Sequence, residues 1–139
     1  GFRPFAPAVL AEHASDYFEN IEGDASPYML LVVPVRAEAP ALPAITHHDG
    51  TARIQTVTAQ RTPGLHTVLT VFHESTGCPV LVNTSFNIRG EPIVHTPREA
   101  FACMMRTEID ALAIGPYFVS RAAQTSLGDP RWHMAVEPD

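Results

Sequence analysis

The stretch Val82-Asn83-Thr84-Ser85-Phe86-Asn87-Ile88-Arg89-Gly90-Glu91-Pro92 holds the densest set of groups able to do chemistry. An apolar run passes directly into two amides, two hydroxyls, an arginine and a glycine. Hydroxyl and amide side chains beside a glycine-relaxed backbone can supply the convergent donors that a phosphate or carbonyl oxygen requires. In α/β sheets ligands sit beyond the carboxyl ends of strands, and this loop would occupy such a place. An architectural reading stays open beside the functional one. Asn, Ser and Gly also build turns, with Asn87 or Gly90 taking positive φ, and Arg89 with Glu91 can form a structural ion pair.

The second candidate is Thr46-His47-His48-Asp49-Gly50-Thr51-Ala52-Arg53. Two adjacent histidines and an aspartate invite a metal reading. Neighbouring side chains on a strand face opposite ways, and helical i, i+4 spacing is absent, so no metal site is expected at His47, His48 and Asp49. Arg53, just after a tight turn, is the stronger residue, because its planar fork suits phosphate or carboxylate. His13, His66 and His73 fall on expected helices without evident partners, His95 precedes a helix start, and His133 lies near the C-terminus; all read as surface or packing residues. Cys78 and Cys103 form no CxxC pair, and neither stands near a histidine at zinc spacing. Cys103, between apolar neighbours, reads as a buried, inert thiol. No GxxxxGK[ST], GxGxxG or GxSxG motif is present.

These residues need elements to position them. Pro7 is expected in the first turn of a short helix with Val9, Leu10, His13, Ala14 and Tyr17 on one face. Tyr28 to Val33 reads as a strand covered on both faces, and Pro34 limits its pairing. Asp49-Gly50 marks a tight turn before a β-prone run from Arg53 to Thr58. Pro63 opens a helix with Leu65, Val68, Leu69 and Phe72 at i, i+3, i+4, i+7, and Gly77 is placed to end it. Pro79 to Thr84 reads as a second buried strand. Thr96-Pro97-Arg98-Glu99 is a capping box with proline at the first helical position, starting a helix with an apolar face of Ala100, Phe101, Met104 and Met105. Ala111 to Ile114 and Tyr117 to Val119 read as short strands about Gly115-Pro116, and Gln124 to Asp139 lacks periodicity. The alternation of helix and strand predicts an α/β domain with crossover units.

A chain of 139 residues has the size of one domain. All nine of its cationic Lys and Arg residues are arginine, and the net charge is −6. An acidic chain with no basic stripe argues against nucleic-acid binding, which needs clustered cations. No apolar run approaches the ~20 residues needed to span a membrane as a helix.

Several blocks stand in order: Phe2-Arg3-Pro4-Phe5-Ala6-Pro7-Ala8-Val9, Ser26-Pro27-Tyr28-Met29, His48-Asp49-Gly50-Thr51-Ala52-Arg53-Ile54-Gln55, Asn83-Thr84-Ser85-Phe86-Asn87-Ile88-Arg89-Gly90-Glu91-Pro92-Ile93-Val94 and Thr107-Glu108-Ile109-Asp110-Ala111-Leu112. Together, over roughly residues 2–121, they resemble the C-terminal portion of the O-carbamoyltransferases that modify nodulation factors, cephalosporin-type antibiotics and aminoglycosides. The resemblance implies a YrdC-like domain over 1–121, a twisted, mainly mixed β-sheet with flanking helices, followed by an irregular tail over 122–139. It implies a cytoplasmic enzyme that binds carbamoyl phosphate, with ATP as co-substrate, and makes a carbamoyl-adenylate ahead of transfer to a hydroxyl acceptor. Carried over residue by residue, it makes Arg53 and Ser85 catalytic and Asn83, Asn87 and Arg89 substrate-binding. Arg53 would counter phosphate charge while Asn83 and Ser85 orient the carbamoyl group, with Asn87 and Arg89 flanking that corner.

The family also carries an N-terminal actin-like domain with an iron ion held by histidines and aspartates, and that missing domain is the expected partner. A Lys and an Arg just upstream of the Phe2-Arg3-Pro4-Phe5 block are expected in the family as well, so the domain is expected to be truncated at its N-terminal edge. A reading of another class stays open: a non-catalytic nucleotide- or anion-binding module, or one that packs between domains.

Overall fold

A computed structural model describes residues 5–124 of the chain. It divides into two compact units, Gly1–Thr84 and Ser85–Asp139. Of the expected irregular tail, residues 125–139 lie outside the described residues.

The first unit is built on a four-stranded sheet. Its elements are β1 (Ala6–Leu10), a 3-10 turn (Ala11–His13) running into the short helix α1 (Ala14–Tyr17), β2 (Leu31–Pro34), β3 (Thr51–Val57), α2 (Pro63–Thr76) and β4 (Val80–Asn83). The spatial order is β2-β3-β1-β4. β1 runs parallel to β3, while β1–β4 and β2–β3 are antiparallel. The expected mixed α/β sheet is present. The expected run of crossover units reduces to the single parallel pair β1–β3, since β4 returns antiparallel after α2.

Three elements differ from the sequence reading. One is β4, which reads as a buried strand but lies at an edge of the sheet with Val82 exposed. A short apolar run does not show whether its strand is inner or edge. Ala6–Leu10 is an inner strand, not the start of a helix, and all five residues are buried. A short, wholly apolar run has no periodicity to separate a buried strand from a helix, and Pro7 at a fixed φ fits both. The second strand begins only at Leu31, because Met29 takes a positive φ of 57° that breaks the extended run after Tyr28. Nor is it covered on both faces: β2 lies at the sheet edge, and Leu31 and Val32 are exposed.

The two faces of the sheet have different tasks. Val9, Ile54, Ala52, Val33 and Val80 point to one side and pack with Ala14, Tyr17, Phe18, Ile21 and Ile45 as the main core. On the other side Ala8, Leu10, Val57 and Leu81 meet Leu65 and Leu69 of α2. Helix α2 has the limits the sequence predicts, with Pro63 in its first turn and Gly77 as a left-handed C-cap at φ 75°. Only Leu69 of its apolar stripe is fully buried, and Val68 is exposed.

In the second unit, α3 (Pro97–Arg106) starts at the predicted capping box. The Thr96 hydroxyl accepts from the Glu99 N–H, and the Glu99 carboxylate accepts from the Thr96 N–H. A hairpin of β5 (Ala111–Ile114) and β6 (Tyr117–Ser120) turns at Gly115, as the sequence predicts. Ala100, Met104 and Leu112 form the core of this unit, with Phe86, Val94, Phe101, Met105 and Ile109 packed around them. Cys103 is buried, as expected.

Candidate anion-binding site

Register decides which side chains of the first unit share a face. Gln55 pairs with Ala8, and Ala6 pairs with Asn83. Ala6 and Ala8 are two residues apart and face the same way, as do Arg53 and Gln55 on β3. Arg53, Gln55 and Asn83 therefore stand on the face that α2 covers only at its Leu10–Val57 end. Between β3 and β4 lies the whole of β1, about 9–10 Å of sheet. The alanines of β1 leave that gap clear, and the Asn83 Nδ2–H donates to Gln55 Oε1 at 2.6 Å. Gln55 in turn donates from Nε2 to the Pro27 carbonyl at 3.1 Å, which fixes which end of each amide faces which. The Asn83 Oδ1 has no donor among the described residues and is left as an acceptor.

Arg53 stands out among the cations of this unit. Arg36 donates to the Ser15 carbonyl, and Arg61 is paired with Asp24 and bonded to the Tyr28 hydroxyl. The exposed Arg53 guanidinium has no hydrogen bond or ion pair among the described residues. It lines a recess of about 260 Å³ together with Phe5, Ala6, Val32 and His47.

His47 belongs to the turn that leads into β3. Its backbone N–H donates to the Thr51 carbonyl at 2.7 Å, and Gly50, at φ 78°, closes the turn by donating to the His47 carbonyl. The Thr51 hydroxyl donates to Asp49 Oδ1 at 2.7 Å and also touches His47 Nδ1 at 3.0 Å. Hydrogen bonds from Thr51 hold the Asp49 carboxyl below its ordinary range. Among the described residues no three His, Cys, Asp or Glu side chains converge as a metal shell would require.

The second unit carries its own polar loop. Ser85 donates its hydroxyl proton to Asn87 Oδ1 at 2.7 Å. Both protons of the Asn87 amide are used, on the Ile88 and Glu91 carbonyls. Gly90, not Asn87, takes the positive φ, at 89°. The Arg89–Glu91 ion pair considered from sequence does not form. Glu91 is instead gripped by Arg106 of α3, at 2.6 Å and 3.3 Å through the two guanidinium nitrogens. That leaves Arg89 exposed and unpaired among the described residues.

The carbamoyltransferase C-terminus family matches residues 1–121 of this chain. The chain belongs to that family. Among its relatives, nodulation protein NolO of Bradyrhizobium diazoefficiens is 45% identical over 92% of the chain. Nodulation protein NolNO of Sinorhizobium fredii is 42% identical over 99% of it. The 3'-hydroxymethylcephem-O-carbamoyltransferase of Streptomyces clavuligerus is 35% identical over 88%. These alignments cover 24%, 21% and 23% of the respective relatives, so the chain spans about a quarter of their length or less.

Within this carbamoyltransferase C-terminal domain the candidates fall into two groups. Arg53 and Asn83 belong to the first unit, whereas Ser85, Asn87 and Arg89 belong to the second. Sequence reasoning missed Gln55, which holds Asn83, and Arg106, which holds the second loop through Glu91. Period-two spacing from Arg53 could have flagged Gln55; nothing local links Arg106 to Glu91. The carboxyl-end rule that first pointed to the loop is a rule of parallel sheets. In this mixed sheet β4 ends where β1 and β3 begin, so no single end carries it. The histidines expected to lack partners have them: His13 bonds Asp16, His66 bonds Glu12, and the His13 and His73 rings meet edge to face at 4.5 Å. No helix among the described residues is long and apolar enough to cross a membrane.

Proposed function

We propose that this chain is the substrate-activating part of a carbamoyltransferase, taking carbamoyl phosphate into the Arg53 recess for reaction with ATP. The observation that carries the reading is the unengaged Arg53 guanidinium at a small recess, in a unit whose other described arginines are occupied. A recess of about 260 Å³ falls below the ~300–1,000 Å³ typical of drug-sized ligands. It suits a small phosphorylated anion better than a whole nucleotide. Arg53 offers a fork for phosphate oxygens. The free Asn83 Oδ1, oriented by Gln55, accepts from the carbamoyl N–H, which a phosphate oxygen cannot supply.

In the reaction, water and carbamoyl phosphate give carbamate and phosphate. The carbamate oxygen then attacks the α-phosphorus of ATP, pyrophosphate leaves, and carbamoyl-adenylate remains. In the second unit, a substrate-binding part for Ser85 and Arg89 is proposed from the family resemblance alone, with Asn87 holding the Ser85 hydroxyl in place. Transfer to an acceptor hydroxyl is assigned to an iron-bearing N-terminal domain such as the resemblance implies.

The test is calorimetric titration of carbamoyl phosphate into the chain, followed by carbamoyl-phosphate-dependent pyrophosphate release in the complete enzyme. Arg53→Ala removes a charged hydrogen-bond donor, each of which contributes about 1.5–3 kcal/mol. That corresponds to a roughly 10- to 150-fold loss. Arg53→Lys recovers part of it, because the charge returns without the fork. Unchanged affinity and turnover in Arg53→Ala would refute the assignment. Binding without pyrophosphate release by the complete enzyme would favour a non-catalytic anion-binding module.

A further inference from the structure

The turn before β3 contains a chain of groups whose proton positions are forced. The Asp49 carboxylate can only accept, so the single proton of the Thr51 hydroxyl goes to it. Thr51 Oγ1 can then only accept from the ring, and His47 Nδ1 must carry a proton and donate it. A neutral His47 is thereby fixed as the Nδ1–H tautomer, with Nε2 left as the nitrogen available to a ligand. Nε2 has no partner among the described residues, and His47 lines the same recess as Arg53.

Resting on the reading of Arg53 as the phosphate ligand, we propose that His47 is the second ligand of that anion, binding one of its oxygens through a protonated Nε2. Binding brings a proton onto Nε2, so the ring becomes a two-sided donor. One side holds Thr51, and the other holds the anion. The Asp49 carboxylate, one hydroxyl away, balances the positive charge the ring gains. The titratable or charged groups around His47 are Asp49 and the exposed His48 on its own turn and Arg53 on β3. The other lining residues, Phe5, Ala6 and Val32, carry none. The ring would also hold the proton that the departing phosphate needs when carbamate is released.

Nitrogen-15 imidazole spectra of the chain test this, with sulfate as probe because its charge is constant near neutral pH. In free protein above the histidine range His47 should show the Nδ1–H tautomer, and Thr51→Val should mix the two tautomers. Sulfate should move His47 Nε2 toward the protonated form and should bind several-fold more tightly at pH 6 than at pH 8. His47→Gln should lose that pH dependence while sulfate binding remains sensitive to Arg53→Ala. If sulfate binds through Arg53 and the His47 ring does not respond, the proposal for His47 is overturned and the Arg53 reading stands. If the ring responds and Arg53→Ala changes nothing, the Arg53 reading fails instead. An Nε2–H tautomer in free protein, or no response to sulfate into the tens of millimolar, overturns the proposal for His47.

Discussion

Replacing Arg106 by methionine should loosen the Ser85–Pro92 loop more than any change inside the loop. Arg106 holds Glu91 by two hydrogen bonds, and both side chains are only 22% exposed. The Glu91 backbone carbonyl is the acceptor for Asn87, and Asn87 holds Ser85, so the clamp stands behind the whole polar loop. An exposed ion pair contributes ~0–1 kcal/mol, whereas removing one partner of a buried pair costs ~3–5 kcal/mol. With about a fifth of each side chain in water, the expected loss for Arg106→Met lies between, at ~1–3 kcal/mol. Much of that loss is the half-buried Glu91 charge left alone, so Glu91→Gln in the same chain should recover part of it. The assay is urea denaturation of wild type, Arg106→Met, Glu91→Gln and the double variant, analysed as a cycle. Amide exchange at Ile88 to Glu91 would report the loop directly. A loss under ~0.5 kcal/mol, the range of ordinary surface changes, together with no coupling, would refute the reasoning.

Three further outcomes follow from the geometry. Thr96→Ala removes the hydroxyl of the capping box and should cost about 1 kcal/mol, read as a lower urea midpoint at unchanged slope. The His95 and Thr96 backbone N–H groups hold the Glu99 carboxyl below its ordinary value of 4.5. A depressed folded value means that this stabilisation is present above the unfolded value and is lost as pH falls below about 4.5; Glu99→Gln should flatten that part of the stability–pH curve. Burial pushes the Cys103 thiol up, so at pH 8 it should resist alkylation until denaturant is added, and rapid labelling of the folded chain would contradict its placement.

What could be read from the sequence tracks how local each cause is. The start of α3 is written in four consecutive residues, Thr96 to Glu99, and the end of α2 in the single Gly77; both formed where expected. The hairpin about Gly115 is equally local. β1 is not legible locally because Ala6–Leu10 takes its state from β3, 47 positions further along, and from β4, 71 to 77 positions further along. The same non-local pairing hid the contact of Asn83 with Gln55. Sequence adjacency raises only a metal role for His47, because its link to Thr51 and its place on the Arg53 recess emerge only once the turn is folded. Arg53, by contrast, is a candidate on sequence alone, since a lone arginine after a tight turn needs no partner to mark it.

The alanines of β1 carry a consequence for how this domain can change. Alanine is a weak strand former, and on a buried inner strand a β-branched residue would ordinarily be preferred, by up to ~1 kcal/mol. Ala6 and Ala8 lie beneath the bond between Asn83 and Gln55. A valine at Ala6 would strengthen the strand while standing in the path of that bond. If Asn83 binds substrate as proposed, position 6 is a place where selection for stability and selection for activity pull in opposite directions. Attempts to harden this domain by consensus or β-propensity substitutions should find their most misleading gain there.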